Sequence, residues 1–194
     1  MGERIINKDF IINSENVGQF VLGIQYFNGN PEFEKNGLSL RKGLMLLGGV
    51  GTGKTIFMKV FKSYVHEKRI NKEFRIENAD DIVELYENYG NPGINFFRNN
   101  YIESGFGFYI QNPQSICIDD LGIEKDSVKF YGNEESVISR LLYARYNHFQ
   151  KGIITHVTAN LDQKMLAEKY GDRLFSRFKE MFNIIILDGE DRRK

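Results

Sequence analysis

The feature that most constrains this sequence is a glycine-rich segment that runs from Gly48 to Thr55. It matches the pattern G-x-x-x-x-G-K-[ST] at every fixed position. An apolar run at 44–47 precedes it, and apolar residues recur at helical spacing from 56 to 65 after it. Glycine-rich turns also serve as plain strand-to-helix connectors, but a plain connector has no use for the lysine at position 54. The segment therefore predicts a strand, a phosphate-binding loop and a helix, in that order.

The residue types in this loop explain what it would bind. Glycines let backbone N–H groups turn inward around a phosphate, and the start of the following helix adds a positive dipole. Lys54 is predicted to reach the β- and γ-phosphates of ATP, and the hydroxyl of Thr55 is predicted to ligate Mg²⁺. ATP and Mg²⁺ are therefore the predicted cofactors. The predicted nucleotide-binding residues are Gly48, Gly49, Val50, Gly51, Thr52, Gly53, Lys54 and Thr55.

Two consecutive aspartates, Asp119 and Asp120, follow the apolar run at 116–118. In open α/β folds ligands bind at the carboxyl ends of the strands, so a strand that ends in acids places them beside the phosphate loop. Asp119 is predicted to hold Mg²⁺ through water, and Asp120 to orient or deprotonate the water that attacks ATP. Paired aspartates also cap strands and open solvated turns. The upstream loop favours the catalytic interpretation, which predicts an ATPase.

Strand-like and helical patterns alternate along the chain, which predicts an α/β fold with a central, mostly parallel five-stranded sheet and helices on both faces. Residues 1–40 show weak periodicity and are predicted to be a lead-in segment that completes the nucleotide pocket, with one helix near 17–27. Residues 41–194 are predicted to form the ATPase core. The predicted strands cover residues 44–47, 74–76, 115–118, 153–158 and 182–187.

Charge balance, cysteine content and the length of the apolar runs indicate where the protein is expected to be located and what it can bind. The 26 Lys and Arg balance the 26 Asp and Glu, so the chain lacks the net charge of an obligate nucleic-acid binder and any DNA contact needs a local patch. The single cysteine cannot form an internal disulfide, and the first thirty residues lack the apolar core of a secretory signal. The apolar runs are too short to cross a bilayer. A soluble cytoplasmic protein with no membrane contact is expected.

Taken together, four motifs resemble those of the AAA+ ATPases of the DnaC, DnaI and IstB group, which comprises helicase loaders and transposition helper proteins. The likeness extends from about Leu44 to the C-terminus, and its more specific part is the Asp-Asp-Leu-Gly form at 119–122. It implies a P-loop NTPase of AAA+ type that forms a homo-oligomer with ATP at the subunit interfaces. A replicative helicase or a transposase is the implied partner. The motifs are Gly48–Thr55, Ile116–Gly122, Thr158–Leu161 and Tyr170–Phe178.

The resemblance also implies roles for three residues outside the loop and the acidic pair. Asn160 takes the sensor 1 role, a polar side chain that touches the γ-phosphate or the attacking water, although an Asn here can also simply close a strand. The segment 171–178 is similar to the box VII region. Its arginine reaches into the ATP site of the neighbouring subunit, with Arg177 as first choice and Arg173 as second. Either could instead be an ordinary surface arginine on an amphipathic helix.

Two departures from the family pattern bear on function. Only 47 residues precede the phosphate loop, so a helicase-docking region is expected to be reduced or absent. The chain ends soon after the last predicted strand, so the large helical C-terminal lid of other AAA+ proteins is expected to be missing. The first departure weakens the loader assignment and leaves the ATPase untouched.

The stretch from 91 to 112 is rich in aromatic residues. Single-stranded DNA binders stack bases on such residues, so this stretch is a candidate DNA contact, although aromatics are more often part of a core. The acidic helix predicted at 80–89 disfavours phosphate contact there. The residues of interest are Phe96, Phe97, Arg98, Tyr101, Phe106, Phe108 and Tyr109.

These observations predict an ATP-hydrolysing AAA+ accessory protein of DNA replication, helicase-loader-like, that binds single-stranded DNA. A transposition helper ATPase of the IstB type is one alternative. A small-molecule P-loop kinase is another, but the segment 122–133 does not resemble the arginine-bearing lid of such kinases. A nucleotide-dependent interaction module that does not hydrolyse ATP is the third, and the intact acidic pair argues against it.

Overall fold

The structure is a computed structural model that describes residues 16–98, 101–104, 107–110, 114–130 and 133–189. Its helices are α1 (Val17–Phe27), α2 (Lys54–Glu67), α3 (Ala79–Tyr89), α4 (Asn91–Arg98), α5 (Val137–Phe149), α6 (Gln163–Tyr170) and α7 (Asp172–Met181), with a 3-10 helix at Pro31–Asn36. Its strands are β1 (Gly43–Leu47), β2 (Phe74–Asn78), β3 (Tyr101–Ser104), β4 (Gly107–Ile110), β5 (Ser115–Leu121), β6 (Val128–Phe130), β7 (Asn133–Glu135), β8 (Thr155–Ala159) and β9 (Phe182–Ile186).

Five strands form one sheet in the order β2-β5-β8-β1-β9, and every pairing in it is parallel. The predicted α/β fold with a five-stranded, parallel central sheet is therefore confirmed. Because all five strands run the same way, their carboxyl ends lie along one edge of the sheet and their amino ends along the other. The strand order places β8 between β5 and β1, so the loops that follow these three strands are neighbours.

Helices cover both faces of the sheet, which explains why the central strands are almost continuously apolar. Successive residues of β1 alternate between the two hydrophobic clusters. Met45 and Leu47 belong to the cluster under α3, α5, α6 and α7, whereas Leu44 and Leu46 belong to the cluster under α1 and α2. All of β1 is buried.

The lead-in segment contains the predicted helix, and this helix packs tightly on α2. The rings of Phe20 and Phe57 lie 5.0 Å apart, and those of Phe27 and Phe61 also 5.0 Å. A Cβ on Gly23 would lie 2.4 Å from the Phe61 ring, so only glycine permits this approach. Residues 1–15 lie outside the described residues, and completion of the nucleotide pocket by residues 1–40 stays a prediction.

Two antiparallel hairpins, β3-β4 and β6-β7, flank β5 in the sequence. The first occupies part of the aromatic stretch, where Phe97 of the preceding helix is buried in the core. The side chains of Phe96, Tyr101, Phe106, Phe108 and Tyr109 lie outside the described residues, so the DNA contact predicted there stays a prediction. The second hairpin begins in the segment 122–133, which sequence patterns leave as a loop, and extends to Glu135.

No described helix is both long and apolar enough to cross a bilayer. β9 is the last element in the described part of the chain, which ends at 189, and no helical lid follows it there.

Candidate nucleotide-binding site

The loop Gly48–Thr55 connects β1 to α2, as the sequence predicts, and its glycines are required by its path. A Cβ on Gly48 would lie 2.2 Å from the carbonyl oxygen of Leu187. Gly53 precedes α2 with a φ of 91°, in the left-handed region that side chains disfavour. The loop therefore reaches the amino end of α2 with its backbone N–H groups and the helix dipole available to an anion.

Lys54 is the first residue of α2, and its ammonium group lies inside the loop. Its Nζ donates to the carbonyl oxygens of Gly48 at 2.8 Å and Gly49 at 2.7 Å. Only 5% of the residue is exposed. These carbonyl acceptors are neutral, so a phosphate oxygen would be a stronger partner for the same ammonium group.

The predicted metal ligands Thr55 and Asp119 are in contact. The Thr55 hydroxyl donates to Asp119 Oδ1 at 3.0 Å, and the Thr158 hydroxyl donates to the same oxygen at 2.6 Å. Burial raises the pKa of Asp119, and the two hydroxyl donors act in the opposite direction. A bound cation would compensate this buried carboxylate, and carboxylate and hydroxyl oxygens are suitable ligands for Mg²⁺.

The metal would rely on few protein ligands. Among the described residues, no group of three or more His, Cys, Asp or Glu side chains gathers into a metal cluster. Mg²⁺ is commonly held by one or two protein groups together with substrate phosphates and water, so the pair Thr55 and Asp119 fits this cation.

Asp120 is held in a strained backbone conformation next to Asp119, the predicted metal ligand. Its φ is 55°, one of two positive values at non-glycine residues in the described part of the chain. The register between β5 and β8 shifts between Ile118 and Leu121, and such an irregularity turns a side chain away from the regular pleat. Asn160 Nδ2 lies 3.4 Å from Asp120 Oδ1, so the predicted sensor residue contacts the predicted catalytic acid. Backbone strain of this kind is common at functional sites.

Thr158 joins the two aspartates, a role that sequence reasoning missed. Its hydroxyl donates to Asp119 and accepts a hydrogen bond of 2.9 Å from the backbone N–H of Asp120. The residue is completely buried. The only sequence signal was its position two residues before Asn160, because its partners become visible only when β8 is known to pair with β5.

Glu124 is a second missed residue, and it ties the turn after β5 to α6. Its carboxylate accepts from the Gly122 backbone N–H at 2.7 Å and from the Tyr170 hydroxyl at 2.5 Å. Lys169 Nζ donates to the backbone carbonyl of Glu124 at 3.0 Å and also to Asp126. In the sequence Glu124 sits in a charged turn that suggests a solvated surface, yet only 4% of it is exposed.

A cavity of about 400 Å³ opens beside the phosphate loop. Volumes of this size accommodate small ligands, so part of a nucleotide fits next to the loop. Asn160 also lines the cavity, which places the predicted sensor residue between Asp120 and this space. The lining residues are Leu47, Gly48, Gly49, Asn160, Leu161, Asp162, Gln163, Lys164 and Ile186.

The two predicted arginine fingers have different surroundings on α7. The guanidinium of Arg177 lies over the rings of Tyr143 and Tyr146 of α5, 4.7 Å from each centroid. Arg173, one turn earlier, is exposed, and its side chain makes no hydrogen bond or ion pair with a described residue. Within the described residues, neither arginine is bonded to the phosphate loop of its own chain.

No protein-family model matches the sequence, and no curated protein is similar to it in sequence. Solved structures do share its fold. A protein assigned as a primosome component of Streptococcus pyogenes serotype M3 gives a TM-score of 0.66 at 18% identity, over 99% of this chain and 90% of that one. The DnaC helicase loader gives a TM-score of 0.63 at 19% identity, over 95% and 96% of the two chains.

A third similar structure contains ligands. The replication initiator DnaA bound to AMPPCP and single-stranded DNA gives a TM-score of 0.57 at 15% identity, over 93% of this chain and 49% of that one. This chain thus spans about half of that DnaA chain. At these identities the comparisons establish the fold, and they confirm the predicted likeness to helicase-loader AAA+ proteins in structure.

Proposed function

We propose that this protein is an AAA+ ATPase that assists DNA replication in the manner of a helicase loader, with ATP bound between the subunits of a homo-oligomer. The observation that carries the proposal is the pair of hydrogen bonds from Thr55 and Thr158 to Asp119. They join the first turn of α2, the end of β5 and the end of β8 into a single oxygen-rich site beside Lys54.

The site residues divide the work of hydrolysis. Lys54 would exchange its loop carbonyls for phosphate oxygens, and Mg²⁺, held by Thr55 and Asp119, would withdraw negative charge from the γ-phosphate. Asp120 and Asn160 would orient the water. Its oxygen attacks the γ-phosphorus, the bond from that phosphorus to the β,γ-bridging oxygen breaks, and ADP leaves. The water proton passes to Asp120 or to the departing phosphate.

The arginine that completes the site in the next subunit is, in this proposal, Arg173. An arginine finger must be free to reach a neighbour's γ-phosphate, and Arg173 is exposed. Arg177 is instead held against Tyr143 and Tyr146 of its own chain, where it would keep α7 against α5.

The comparison structures support replication as the setting, because they are named as a primosome component, a helicase loader and a replication initiator. We therefore favour a replicative helicase as partner over a transposase. The nucleotide analogue and single-stranded DNA in the DnaA structure support ATP and single-stranded DNA as ligands here. A kinase is less well supported, since the turn after β5 continues into the hairpin β6-β7, whose described residues include no arginine.

Phosphate release across a range of protein concentrations tests the shared site. We expect specific activity to rise with concentration, because each active site needs a second subunit. Asp120→Asn and Arg173→Ala should each be inactive alone, and mixing them should restore part of the activity, since a mixed interface can contain one intact aspartate and one intact arginine. Concentration-independent turnover and no restoration on mixing would contradict the proposal.

A further inference from the structure

Two adjoining cavities lie at the amino edge of the sheet, opposite the nucleotide site. Their volumes are about 610 and 1060 Å³. They share lining residues, so they form one continuous trough, which we name the amino-edge groove. Its floor includes the starts of β2 and β5 and the segment that leads into β8. The shared residues are Asn71, Lys72, Ser115 and Gly152.

Cations outnumber carboxylates among the residues that line the amino-edge groove, although the whole chain has zero net charge. Among the described residues that line it, Glu73 is the single carboxylate, and it is paired with His66 at 3.0 Å. Such an imbalance produces a local positive potential that attracts anions. The lining cations are Arg41, Lys62, Arg69, Lys72 and Arg75. Of these, Arg75 is paired with Glu77, outside the groove, at 3.1 Å.

Two of these cations are free to meet a ligand. Lys62 and Arg69 are exposed, and neither makes a hydrogen bond or ion pair through its side chain within the described part of the chain. Arg69 also adopts a φ of 53°, a left-handed conformation that glycine or asparagine would adopt with less strain. The fold thus presents a guanidinium group at a turn that disfavours arginine.

A buried guanidinium lies directly behind the groove. Arg145 is fully buried, and it donates to the Thr155 hydroxyl at 2.8 Å and to the carbonyls of Gln114 and Ile154, both at 3.0 Å. Gln114 and Ile154 themselves line the groove. Burial lowers the pKa of Arg145 to about 10, so the group stays charged at neutral pH.

The charge of Arg145 has no carboxylate partner among the described residues, since all of its acceptors are neutral. A buried charge without a counter-ion is unfavourable, and an anion in the adjacent groove would lessen that cost. This observation is independent of the surface cations and points to the same kind of ligand.

We propose that the amino-edge groove binds the phosphate backbone of single-stranded nucleic acid. Its five lining cations outnumber what one phosphate ion can contact, so they suit successive phosphates better than a single phosphate ion. The large apolar side chains that line the groove, such as Leu40, Ile70 and Phe149, are half-buried or buried, and its exposed side chains are polar or charged. The choice of nucleic acid over another polyanion rests on the proposed function in replication.

The position of the groove has a functional consequence. Because it lies at the opposite edge of the sheet from Gly48–Thr55, a strand bound there leaves the nucleotide site open. DNA and ATP can therefore be bound together.

Fluorescence anisotropy with a labelled oligo-dT strand and the full chain tests the proposal. The double variant Lys62→Glu/Arg69→Glu should bind at least about tenfold more weakly, and the slope of log affinity against log salt should flatten by about 0.7 for each lost phosphate contact. A matched control, Lys35→Glu/Lys129→Glu, makes the same charge change at two exposed lysines outside the groove and should bind like the wild type.

Several outcomes would overturn the proposal. Equal weakening in both double variants would reduce the effect to net charge. Tight binding of poly-glutamate with no binding of oligo-dT would assign the groove to an acidic protein. Binding of inorganic phosphate alone, with no gain for a longer strand, would reduce it to a phosphate site.

ATP hydrolysis by the same variants separates this proposal from the proposed function. If the wild type hydrolyses ATP and the groove variant binds DNA normally, only the groove proposal fails. If the wild type binds DNA through the groove but does not hydrolyse ATP, only the proposed function fails. Thermal unfolding within a few degrees of the wild type would show that these exposed substitutions leave the fold intact.

Discussion

The two edges of the central sheet differ in the sign and the burial of their charged side chains. At the carboxyl edge, Asp119 is buried and held by two hydroxyl donors at fixed distances. At the amino edge, exposed cations such as Lys62 and Arg69 face an open groove with no partner in the described part of the chain. Chemistry at one phosphorus atom needs a fixed geometry, whereas binding of a polymer needs mainly a matching field. The comparison supports the proposed reaction at the carboxyl edge and the proposed polymer binding at the amino edge.

The largest effect that separates the two edges is expected for Asp120→Asn, which should abolish most ATP hydrolysis without a change in DNA binding. The amide keeps the size of the side chain but cannot accept a proton, so steady-state phosphate release should fall by roughly 10² to 10⁴-fold. Affinity for oligo-dT should not change, because the groove is untouched. If affinity for oligo-dT falls together with hydrolysis, ATP hydrolysis at the carboxyl edge and DNA binding at the amino edge are coupled, which contradicts this account.

Arg145→Met probes the interior of the amino edge. The substitution removes the Arg145 hydrogen bond from the carbonyl of Gln114 and one of two hydrogen bonds from the carbonyl of Ile154. The Ile154 carbonyl still accepts from the backbone N–H of Ile116 at 3.3 Å, and the free energy of unfolding in urea should fall by about 2–4 kcal/mol. The ATP hydrolysis of the folded variant should stay near the wild-type rate. A large loss of hydrolysis at full folding would show that the amino edge shapes the nucleotide site.

Thr158→Val removes one hydroxyl at the carboxyl edge with little change in shape. Asp119 loses a donor and the backbone N–H of Asp120 loses its acceptor, so stability should fall by about 1–3 kcal/mol. Hydrolysis should fall as well, and Thr158→Ser, which restores the hydroxyl, should recover most of it. Equal rates in the valine and serine variants would contradict the role assigned to this hydroxyl.

The pH dependence of stability differs in sign between the edges. Burial lowers the pKa of His156, at the amino edge, to about 3, and its Nδ1 accepts from the Leu44 backbone N–H at 3.1 Å. The unfolded state therefore binds the proton more tightly, so this group destabilises the fold as pH falls from about 6.5 toward 3, by up to about 1.4 kcal/mol per pH unit. The pKa of Asp119 is raised, so the folded state binds this proton more tightly than the unfolded state does. Asp119 therefore stabilises the fold as pH falls through the pKa of its carboxyl group.

Unfolding in urea at several pH values between 7 and 4 measures how the free energy of unfolding changes with pH. We expect the free energy of unfolding of the wild type to decrease as the pH is lowered from 7 to 4. The decrease should be smaller in His156→Gln, whose amide oxygen can accept from the Leu44 backbone N–H. An unchanged slope in the variant would remove His156 as its source.

The smallest effect is expected at the link between the acidic pair and α6. Tyr170→Phe removes one of the hydrogen bonds to Glu124, so stability should fall by about 1–2 kcal/mol. Hydrolysis should fall severalfold if the turn after β5 positions Asp120. A change in stability with an unaltered rate would limit Glu124 to a structural role.

The parts that sequence predicts well are those fixed by local patterns. The loop Gly48–Thr55 with its flanking strand and helix, the five strands and the contact of Thr55 with Asp119 all follow from residue spacing and from the rule that ligands meet the carboxyl ends of parallel strands. The sheet order and the buried roles of Thr158 and Glu124 depend on partners about 40 residues away. No short-range pattern encodes such pairings.

The hairpin β6-β7 illustrates a different limit. Each of its strands has three residues, too few for an alternation of apolar and polar residues to distinguish a strand from a loop. The amino-edge groove could not be predicted from the sequence either. Its cations come from separate parts of a chain whose net charge is zero, so neither composition nor a local run of charge indicates it.

Phosphate release titrated with oligo-dT, for the wild type, Asp120→Asn and Lys62→Glu/Arg69→Glu, tests the separation of the two edges most directly. We predict that the wild type hydrolyses ATP and responds to DNA, that Asp120→Asn is inactive with or without DNA, and that the groove variant keeps the basal rate but loses the response. A groove variant that responds to DNA like the wild type, or an active Asp120→Asn variant, would contradict the account.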